Sequence, residues 1–468
     1  MLFTTLDFFI FLPLVLIGYY AINQKYRWIF LLIASYFFYA GWKMSYLGLI
    51  VLSTVIDFFA SNLIYKAKNQ LRRRWLLAFS LVSNFSLLIL FKYFHFLIGG
   101  SSWFKSLANT SEDAMWLQFV FEYGIPVGIS FYTFQSVSYT VDVYRRRIEP
   151  ETNLAKFALY ITFFPQLVAG PIERYEHLHP QIFKKFKPNW QHFRTGLQIM
   201  LGGFFLKMTI ADNIGTFVAP IFEQPEAYSI FIKWLAVILF GIQIYTDFNG
   251  YTLIAIGCAQ FFGVQLMNNF QLPYGSYSLK EFWSRWHISL STWFRDYVYI
   301  PLGGSKSNKF RWFLAIFVTF FLSGLWHGAM VNFIYWGILH GVYYLIEQAF
   351  FPVKRERVLP FWEKVIRWVF TMSVVSFGWL LFRIDQMRKV KLFFTSTIQS
   401  ISDVHFEYSL YIPLALFIVY ELIIRKNRPD EFLANKSLLT RWTMYLLLFS
   451  FILLFANTGD LPFIYFQF

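Results

Sequence analysis

The chain has 468 residues, of which 57% are hydrophobic and only 14% are charged, and phenylalanine alone occurs 60 times. An ordinary soluble domain carries about 25% charged residues, so this composition excludes a soluble protein and predicts an integral membrane protein. In a soluble protein, a formal net charge of +15 would suggest nucleic-acid binding. In a membrane protein Lys and Arg collect in cytoplasmic loops, so we predict no nucleic-acid partner.

A membrane-spanning helix needs about 20 predominantly apolar residues. Windows of this kind lie at 7–22, 27–42, 45–65, 75–98, 116–143, 195–219, 229–262, 311–327, 331–350, 361–382, 409–424 and 439–457. Segments 153–170 and 281–303 are less apolar, and several windows contain Gly or Pro, which a membrane tolerates only beside protein or a cavity. We predict an all-α polytopic bundle of about 11–13 spanning or re-entrant helices enclosing a central cavity, one domain over 1–468.

Basic clusters predict which loops face the cytoplasm. We assign to that side the clusters at 66–74, 145–147, 184–187, 306–311, 354–357 and 425–428. The acidic stretches 109–113 and 223–226 are assigned to the outer side. One run contradicts the rule, because Arg388, Lys389 and Lys391 fall on the outer side in this count.

The same count predicts the course of three segments. Segment 153–170 has cytoplasmic flanks, so it dips into the membrane and returns. Segments 311–327 and 331–350 form a hairpin. The last helix brings an aromatic tail, residues 458–468, to the outer face.

His327 is the most informative polar residue, because an ionisable side chain inside a membrane is costly and suggests function. It follows Arg311 by 16 residues, which is about 24 Å of helix in a hydrocarbon core about 30 Å thick. We therefore place it deep in the bilayer, at the turn of the hairpin and between two glycines. A neutral imidazole there can take a hydroxyl proton and pass it to a leaving group. The alternative is a hydrogen-bonded core histidine.

His287 lies in a segment that alternates tryptophans with charges, in which Glu281 and Arg285 are one helical turn apart. The segment is typical of an interfacial amphipathic helix, and His287 could also orient a substrate or polarise a carbonyl. For His340 we expect core packing, and for Cys258 a small buried side chain. The histidines and Asp247 lack the spacing of a metal site, so none is predicted.

Two further features suggest binding or transfer. The loop 301–306 offers backbone N–H groups beside Lys306, Lys309 and Arg311, which suits phosphates but is also typical of a solvated cytoplasmic loop. The tail ends in Phe-Ile-Tyr-Phe-Gln-Phe. It is either an interfacial anchor or a segment that folds into a cavity and presents the Tyr465 hydroxyl as an acyl acceptor.

Five stretches carry a resemblance to a known family. They begin at Pro126 (PVGISFYTFQ), Phe163 (FFPQLVAGPI), Gln243 (QIYTDFNGY), Phe282 (FWSRWHISLSTWFRD) and Gly324 (GLWHG). Together they resemble the membrane-bound O-acyltransferases, especially the bacterial membrane proteins of alginate and peptidoglycan O-acetylation. The resemblance implies that His327 is the catalytic histidine, that His287 is its polar partner and that Tyr465 relays the acyl group. We expect other side chains of these stretches to line the cavity: Gln135, Asp247, Asn249, Arg285, Trp286, Ser289 and Trp326.

The resemblance also implies a reaction and a location. Acetyl-CoA would be the donor substrate, with no bound cofactor, and its phosphates would meet Lys306, Lys309 and Arg311. The acetyl group would cross the bacterial inner membrane to a periplasmic partner transferase, which would place it on a polysaccharide, peptidoglycan slightly ahead of alginate on composition. The alternatives are a transporter, for which we find no paired broken helices, and a non-catalytic scaffold of a polysaccharide-modifying complex.

Overall fold

The computed structural model describes residues 1–93, 126–168, 170–352, 359–395, 408–424, 428–456 and 463–467. Within these ranges every regular element is helical, which confirms the predicted all-α class. The outer stretch predicted at 109–113, the first part of window 116–143, the cluster at 354–357 and residues 425–427 lie outside the described residues. The chain divides into two compact units, Met1–Gly196 with Cys258–Met267 and Leu197–Gly257 with Asn268–Phe468. A single functional domain stays a prediction.

The first unit contains α1 to α8 and the beginning of α9. Buried Cys258 belongs to it and packs as a small core residue, as expected. The helices are α1 (Leu6–Ala21), α2 (Arg27–Ala40), α3 (Met44–Lys66), α4 (Gln70–Leu88), α5 (Ile129–Tyr144), α6 (Leu154–Thr162), α7 (Phe164–Leu167), α8 (Tyr175–Phe183) and α9 (Trp190–Phe204). A π-helical stretch, Ile89–Tyr93, extends α4. Segment 153–170, predicted to dip and return, forms the two short helices α6 and α7.

The second unit contains the remaining helices. After the π-helical stretch Phe205–Ala211 they are α10 (Asp212–Glu223), α11 (Ile230–Gln260), α12 (Leu279–Arg285), α13 (Ile288–Phe294), α14 (Lys309–His327), α15 (Val331–Phe350), α16 (Phe361–Arg383), α17 (Tyr408–Ile424), α18 (Pro429–Ala434) and α19 (Leu438–Phe455). The tail ends in a 3-10 turn, Ile464–Gln467.

Six helices of the described chain are long and apolar enough to cross a membrane: Met44–Lys66, Gln70–Tyr93, Ile230–Gln260, Lys309–His327, Phe361–Arg383 and Leu438–Phe455. Three shorter apolar helices lie at Leu6–Ala21, Arg27–Ala40 and Leu410–Ile424. Each of the nine coincides with a predicted window. The apolar pattern therefore locates these helices along the chain to within a few residues.

The predicted hairpin is present as α14 and α15, with its turn at residues 328–330. The two helices approach closely at Gly324 and Gly337. A Cβ atom on Gly324 would lie 2.3 Å from the Phe333 carbonyl oxygen, and one on Gly337 would lie 2.5 Å from that of Phe320. Because only glycine permits this contact, the two glycines allow the close crossing that positions His327 at the end of α14.

The basic run that contradicts the positive-inside rule belongs to the second unit. Lys389 pairs with Asp385 at 3.1 Å and donates a hydrogen bond to the carbonyl oxygen of Glu223 at 3.4 Å. The run therefore lies beside the acidic stretch 223–226, which the topology count assigns to the same outer side. Nearby carboxylate and carbonyl groups compensate part of its charge.

Candidate active site

His327 ends α14 in an aromatic enclosure within the second unit. Its side chain is buried, and its ring centroid lies 5.0 Å from those of Trp336 and Phe382 and 4.9 Å from that of Trp326. The tight glycine crossing holds α15 against this end of the helix, and α16 supplies Phe382. A buried imidazole among such rings is shielded from bulk water and suited to proton transfer during group transfer.

His287 lies at the break between α12 and α13, with a backbone φ of 42°. A non-glycine residue in this left-handed region is strained, and such strain is frequent at functional sites. The side chain is fully buried, and its ring contacts Phe248 at 4.7 Å and Trp326 at 6.1 Å between centroids. The predicted long amphipathic helix is therefore two short helices that meet at the histidine.

Asn269 fixes the strained turn from the loop before α12. Its carbonyl oxygen accepts the Ile288 amide at 2.9 Å. Its side-chain oxygen accepts the Ser289 hydroxyl at 2.6 Å, and its amide donates to Thr252 on α11 at 3.2 Å. The carbonyl oxygen, the side-chain oxygen and the side-chain amide of this buried residue each have a partner, and the network ties the backbone just after His287 to α11.

Replacing Asn269 by Leu should loosen the turn at His287. The change removes the hydrogen bonds that the buried Ser289 and Thr252 hydroxyls make with Asn269, a cost of about 1 kcal/mol for each bond. We expect a lower unfolding temperature in detergent and slower acyl transfer. Adding Ser289→Ala should recover part of the stability, because removing both partners of a buried hydrogen bond is nearly neutral. No recovery in the double variant would contradict this role.

The tail brings Tyr465 to both histidines. Its ring centroid lies 6.0 Å from that of His327, 6.4 Å from that of His287 and 4.6 Å from that of Phe248. Phe463 and Ile464 are buried. The Tyr465 hydroxyl has no hydrogen-bond partner among the residues that the structure describes. Of the two interpretations of the tail, this arrangement favours the segment folded into the core.

The other predicted cavity residues take different positions. Trp326 contacts both histidines, whereas Trp286 stacks on Phe282 and packs on Trp379 at 4.7 Å. Ser289 bonds Asn269. Arg285 pairs with Glu281 at 2.6 Å, one helical turn away as predicted.

Three more candidates have surroundings that differ from the aromatic surroundings of the two histidines. Asn249 is half-buried on α11. Gln135 belongs to the first unit, where it donates to the Tyr160 carbonyl at 2.8 Å and accepts from Gln166 at 3.1 Å. Asp247 is buried in an ion pair with Lys207 at 2.8 Å.

The three candidate phosphate-binding cations are exposed at the start of α14. Lys306 ends the short 3-10 turn Gly304–Lys306, and Lys309 and Arg311 lie in the first turn of the helix. His327 ends the same 19-residue helix, about 24 Å from Arg311 at 1.5 Å per residue. One helix therefore separates a basic surface from the buried histidine.

Sequence reasoning missed Trp336 and Asn269 and expected only core packing for His340. Buried His340 contacts Trp336 at 4.8 Å and Trp283 at 5.2 Å, as a core residue does. The Trp336 ring contacts both His327 and His340. It precedes His340 by one turn of α15, and this spacing is visible in the sequence. Nothing local marks Asn269. In the described part of the chain, no three His, Cys, Asp or Glu side chains are grouped to hold a metal ion.

The buried histidines, the helical hairpin and the spanning helices describe a membrane protein with a candidate site for group transfer, and comparison gives the family. Residues 114–383 match the model of the MBOAT, membrane-bound O-acyltransferase family. The chain belongs to this family and is a multi-pass membrane acyltransferase, which confirms the resemblance found in the motifs.

Named relatives cover most of the chain. Probable alginate O-acetylase AlgI of Pseudomonas syringae pv. tomato is 38% identical over 81% of this chain and 71% of its own length. Peptidoglycan O-acetyltransferase of Helicobacter pylori is 32% identical over 81% of this chain and 76% of its own. Teichoic acid D-alanyltransferase of Bacillus subtilis is 29% identical over 55% of this chain and 68% of its own.

Proposed function

We propose that this protein takes acetyl from cytoplasmic acetyl-CoA and delivers it across the inner membrane for O-acetylation of an extracytoplasmic polysaccharide. The observation that carries the proposal is the placement of the Tyr465 ring about equally far from two buried histidines, 6.0 Å from His327 and 6.4 Å from His287. Relatives named for the acetylation of alginate and of peptidoglycan support acetyl as the acyl group.

The first transfer converts the thioester into an aryl ester. His327 takes the proton of the Tyr465 hydroxyl as the oxygen attacks the acetyl carbonyl carbon, so that a C–O bond forms. The C–S bond breaks, and the proton on His327 passes to the departing CoA sulfur, which leaves as the thiol. His287 orients the acetyl carbonyl. The surrounding Phe248, Phe382 and tryptophan rings exclude water that would hydrolyse the ester.

The second transfer restores the enzyme. A hydroxyl of a periplasmic partner transferase attacks the acetyl carbon on Tyr465, so that a new C–O bond forms and the bond from that carbon to the Tyr465 oxygen breaks. The proton of the attacking hydroxyl passes to the Tyr465 oxygen, which leaves as the phenol. The partner then acetylates a sugar hydroxyl. The acetyl group crosses the membrane while CoA stays on the side of Lys306, Lys309 and Arg311, whose exposed charges suit its phosphates. On this topology the tail lies toward the periplasmic side.

Two measurements test this function. Proteoliposomes given acetyl-CoA should release CoA thiol and retain acetyl on the protein, up to about one per chain without a partner, as expected for a covalent acyl intermediate. Movement of a solute without CoA release would indicate a transporter instead. In a strain lacking the gene, ester-linked acetate should fall in either peptidoglycan or alginate, and the polymer affected identifies the acceptor. Unchanged acetate in both would contradict the proposal.

A further inference from the structure

A buried carboxylate attaches the aromatic tail to the core of the second unit. The Ile464 amide donates to Asp247 Oδ2 at 2.6 Å. The other carboxylate oxygen of Asp247 lies 2.8 Å from Lys207 Nζ, which also lies 2.6 Å from Asp212 Oδ1. No side chain of this charged triad is more than 11% exposed. The backbone position before Tyr465 is therefore held by a charge-assisted hydrogen bond inside the protein.

The helix geometry brings Lys207 to this place. Gly203 on α9 crosses Gly250 on α11, and a Cβ atom on either would lie 2.6–2.8 Å from the other's carbonyl oxygen. The chain then enters the π-helical stretch Phe205–Ala211, which contains Lys207. Asp247 precedes Gly250 by one helical turn. The close crossing thus places the ammonium and the carboxylate side by side, and π-helical segments of this kind recur at functional sites.

The rings next to the carboxylate complete the attachment. Tyr251, one turn after Asp247, packs on Phe463 at 4.6 Å between centroids, and Lys207 Nζ lies 5.7 Å from the centre of the Tyr251 ring. Phe248, next to Asp247 in sequence, contacts Tyr465 at 4.6 Å. One face of α11 therefore holds Phe463, Ile464 and Tyr465 in turn.

We propose that the Lys207–Asp247 pair is a clamp that positions Tyr465 against His327 and His287, and that Asp247 does not contact the substrate. The proposal rests on the relay role of Tyr465 proposed above. A hydrogen bond to an ionised acceptor is roughly twice as strong as one between neutral groups. Lys207 compensates the buried charge that this requires. Asp247 and Lys207 are positioning residues, since they act through the tail.

The test measures release of the tail directly. Cys258 is the single cysteine in the chain, so Cys258→Ser with Ile464→Cys gives one reporter thiol at a buried site. In this background Asp247→Leu should raise the rate of maleimide labelling about 10- to 100-fold, the range expected for losing a hydrogen bond to a charged group. The milder Asp247→Asn keeps an acceptor but loses the charge, and it should give a smaller increase.

Asp212→Leu is the matched control. Asp212 and Asp247 both pair with Lys207, so removal of either leaves one cation with one carboxylate, and both variants should fold. Asp212 has no hydrogen bond to the described part of the tail, so the bond from Ile464 to Asp247 persists in this variant and labelling should stay within about twofold of the parent. Equal acceleration in both aspartate variants, or none in Asp247→Leu, would overturn the clamp.

Activity gives a second, independent readout in the native-cysteine protein. Asp247→Leu should lower the rate of protein acetylation at saturating acetyl-CoA at least tenfold and leave the KM for acetyl-CoA unchanged, because the donor site is intact. A raised KM with unchanged rate would show substrate contact and overturn the proposal. If Tyr465→Phe retains activity while Asp247→Leu still exposes the reporter, the relay fails and the clamp stands.

Discussion

Replacing His327 by Ala should abolish transfer of acetyl from acetyl-CoA while the protein still inserts and folds. General acid–base catalysis by a positioned side chain contributes about 10²- to 10⁴-fold. His327 does this in both directions, first taking the phenol proton and then protonating the CoA sulfur. The measurement is the rate of CoA thiol release by purified protein in proteoliposomes. Binding of acetyl-CoA should change little, because the exposed cations lie at the other end of α14.

The hairpin itself offers the control for this variant. His340 is an equally buried imidazole on α15 and packs on the same Trp336 ring, at 4.8 Å against 5.0 Å for His327. His340→Ala removes the same side-chain volume, but the ring contacts described for His340 include Trp336 and Trp283 and not Tyr465. This variant should therefore lose stability but keep most of the transfer rate. Equal loss of rate in both variants, with equal loss of stability, would reduce His327 to a structural residue.

Tyr465→Phe should eliminate the covalently bound acetyl and halt delivery to the polymer. The substitution keeps the ring, so the contacts with Phe248 and both histidines persist, and only the nucleophilic oxygen is lost. The readouts are acetyl retained on the protein and ester-linked acetate in wall or exopolysaccharide. If His327 acts only through this phenol, CoA release should fall to the level of His327→Ala.

Tyr245→Phe controls for the general cost of losing a buried hydroxyl in the same unit. The Tyr245 phenol bonds Glu421 at 3.0 Å and belongs to no step of the transfer. This variant should retain acetyl on the protein and unfold in detergent about a few degrees lower, as expected for one lost hydrogen bond. Normal polymer acetylation by Tyr465→Phe would make the tail an anchor.

The sequence predicts the helices well because burial in a membrane imposes long apolar windows. Arg311, the apolar run after it and the glycines around His327 predict a helical hairpin that turns just after His327. Helices α14 and α15 confirm this prediction. The break at His287 was not predicted, because its Trp- and charge-rich pattern fits a continuous amphipathic helix. The left-handed turn depends on Asn269, which lies 18 residues earlier and is hydrogen-bonded to Thr252 on α11. A contact between residues so far apart in the chain cannot be predicted from the local periodicity of the sequence.

The role of Asp247 illustrates the same limit. The motif around it predicts a residue of the cavity, and the structure shows that Asp247 is buried. Its partners are Lys207, 40 residues earlier, and Ile464, 217 residues later. The crossing of α9 and α11 joins Lys207 to Asp247, and the folded tail brings Ile464 to the same carboxylate. Sequence patterns identify residue types suited to chemistry, whereas the fold decides which of them meet the reacting atoms and which hold the others in place.

The most direct test is to locate the acetyl group on the enzyme. Purified protein without a partner is incubated with isotopically labelled acetyl-CoA, quenched in acid and analysed by peptide mass spectrometry. We predict one labelled ester on Tyr465 in the wild-type chain and none in His327→Ala. An ester on another residue, or steady CoA release with Tyr465 never acetylated, would contradict the relay from His327 to Tyr465.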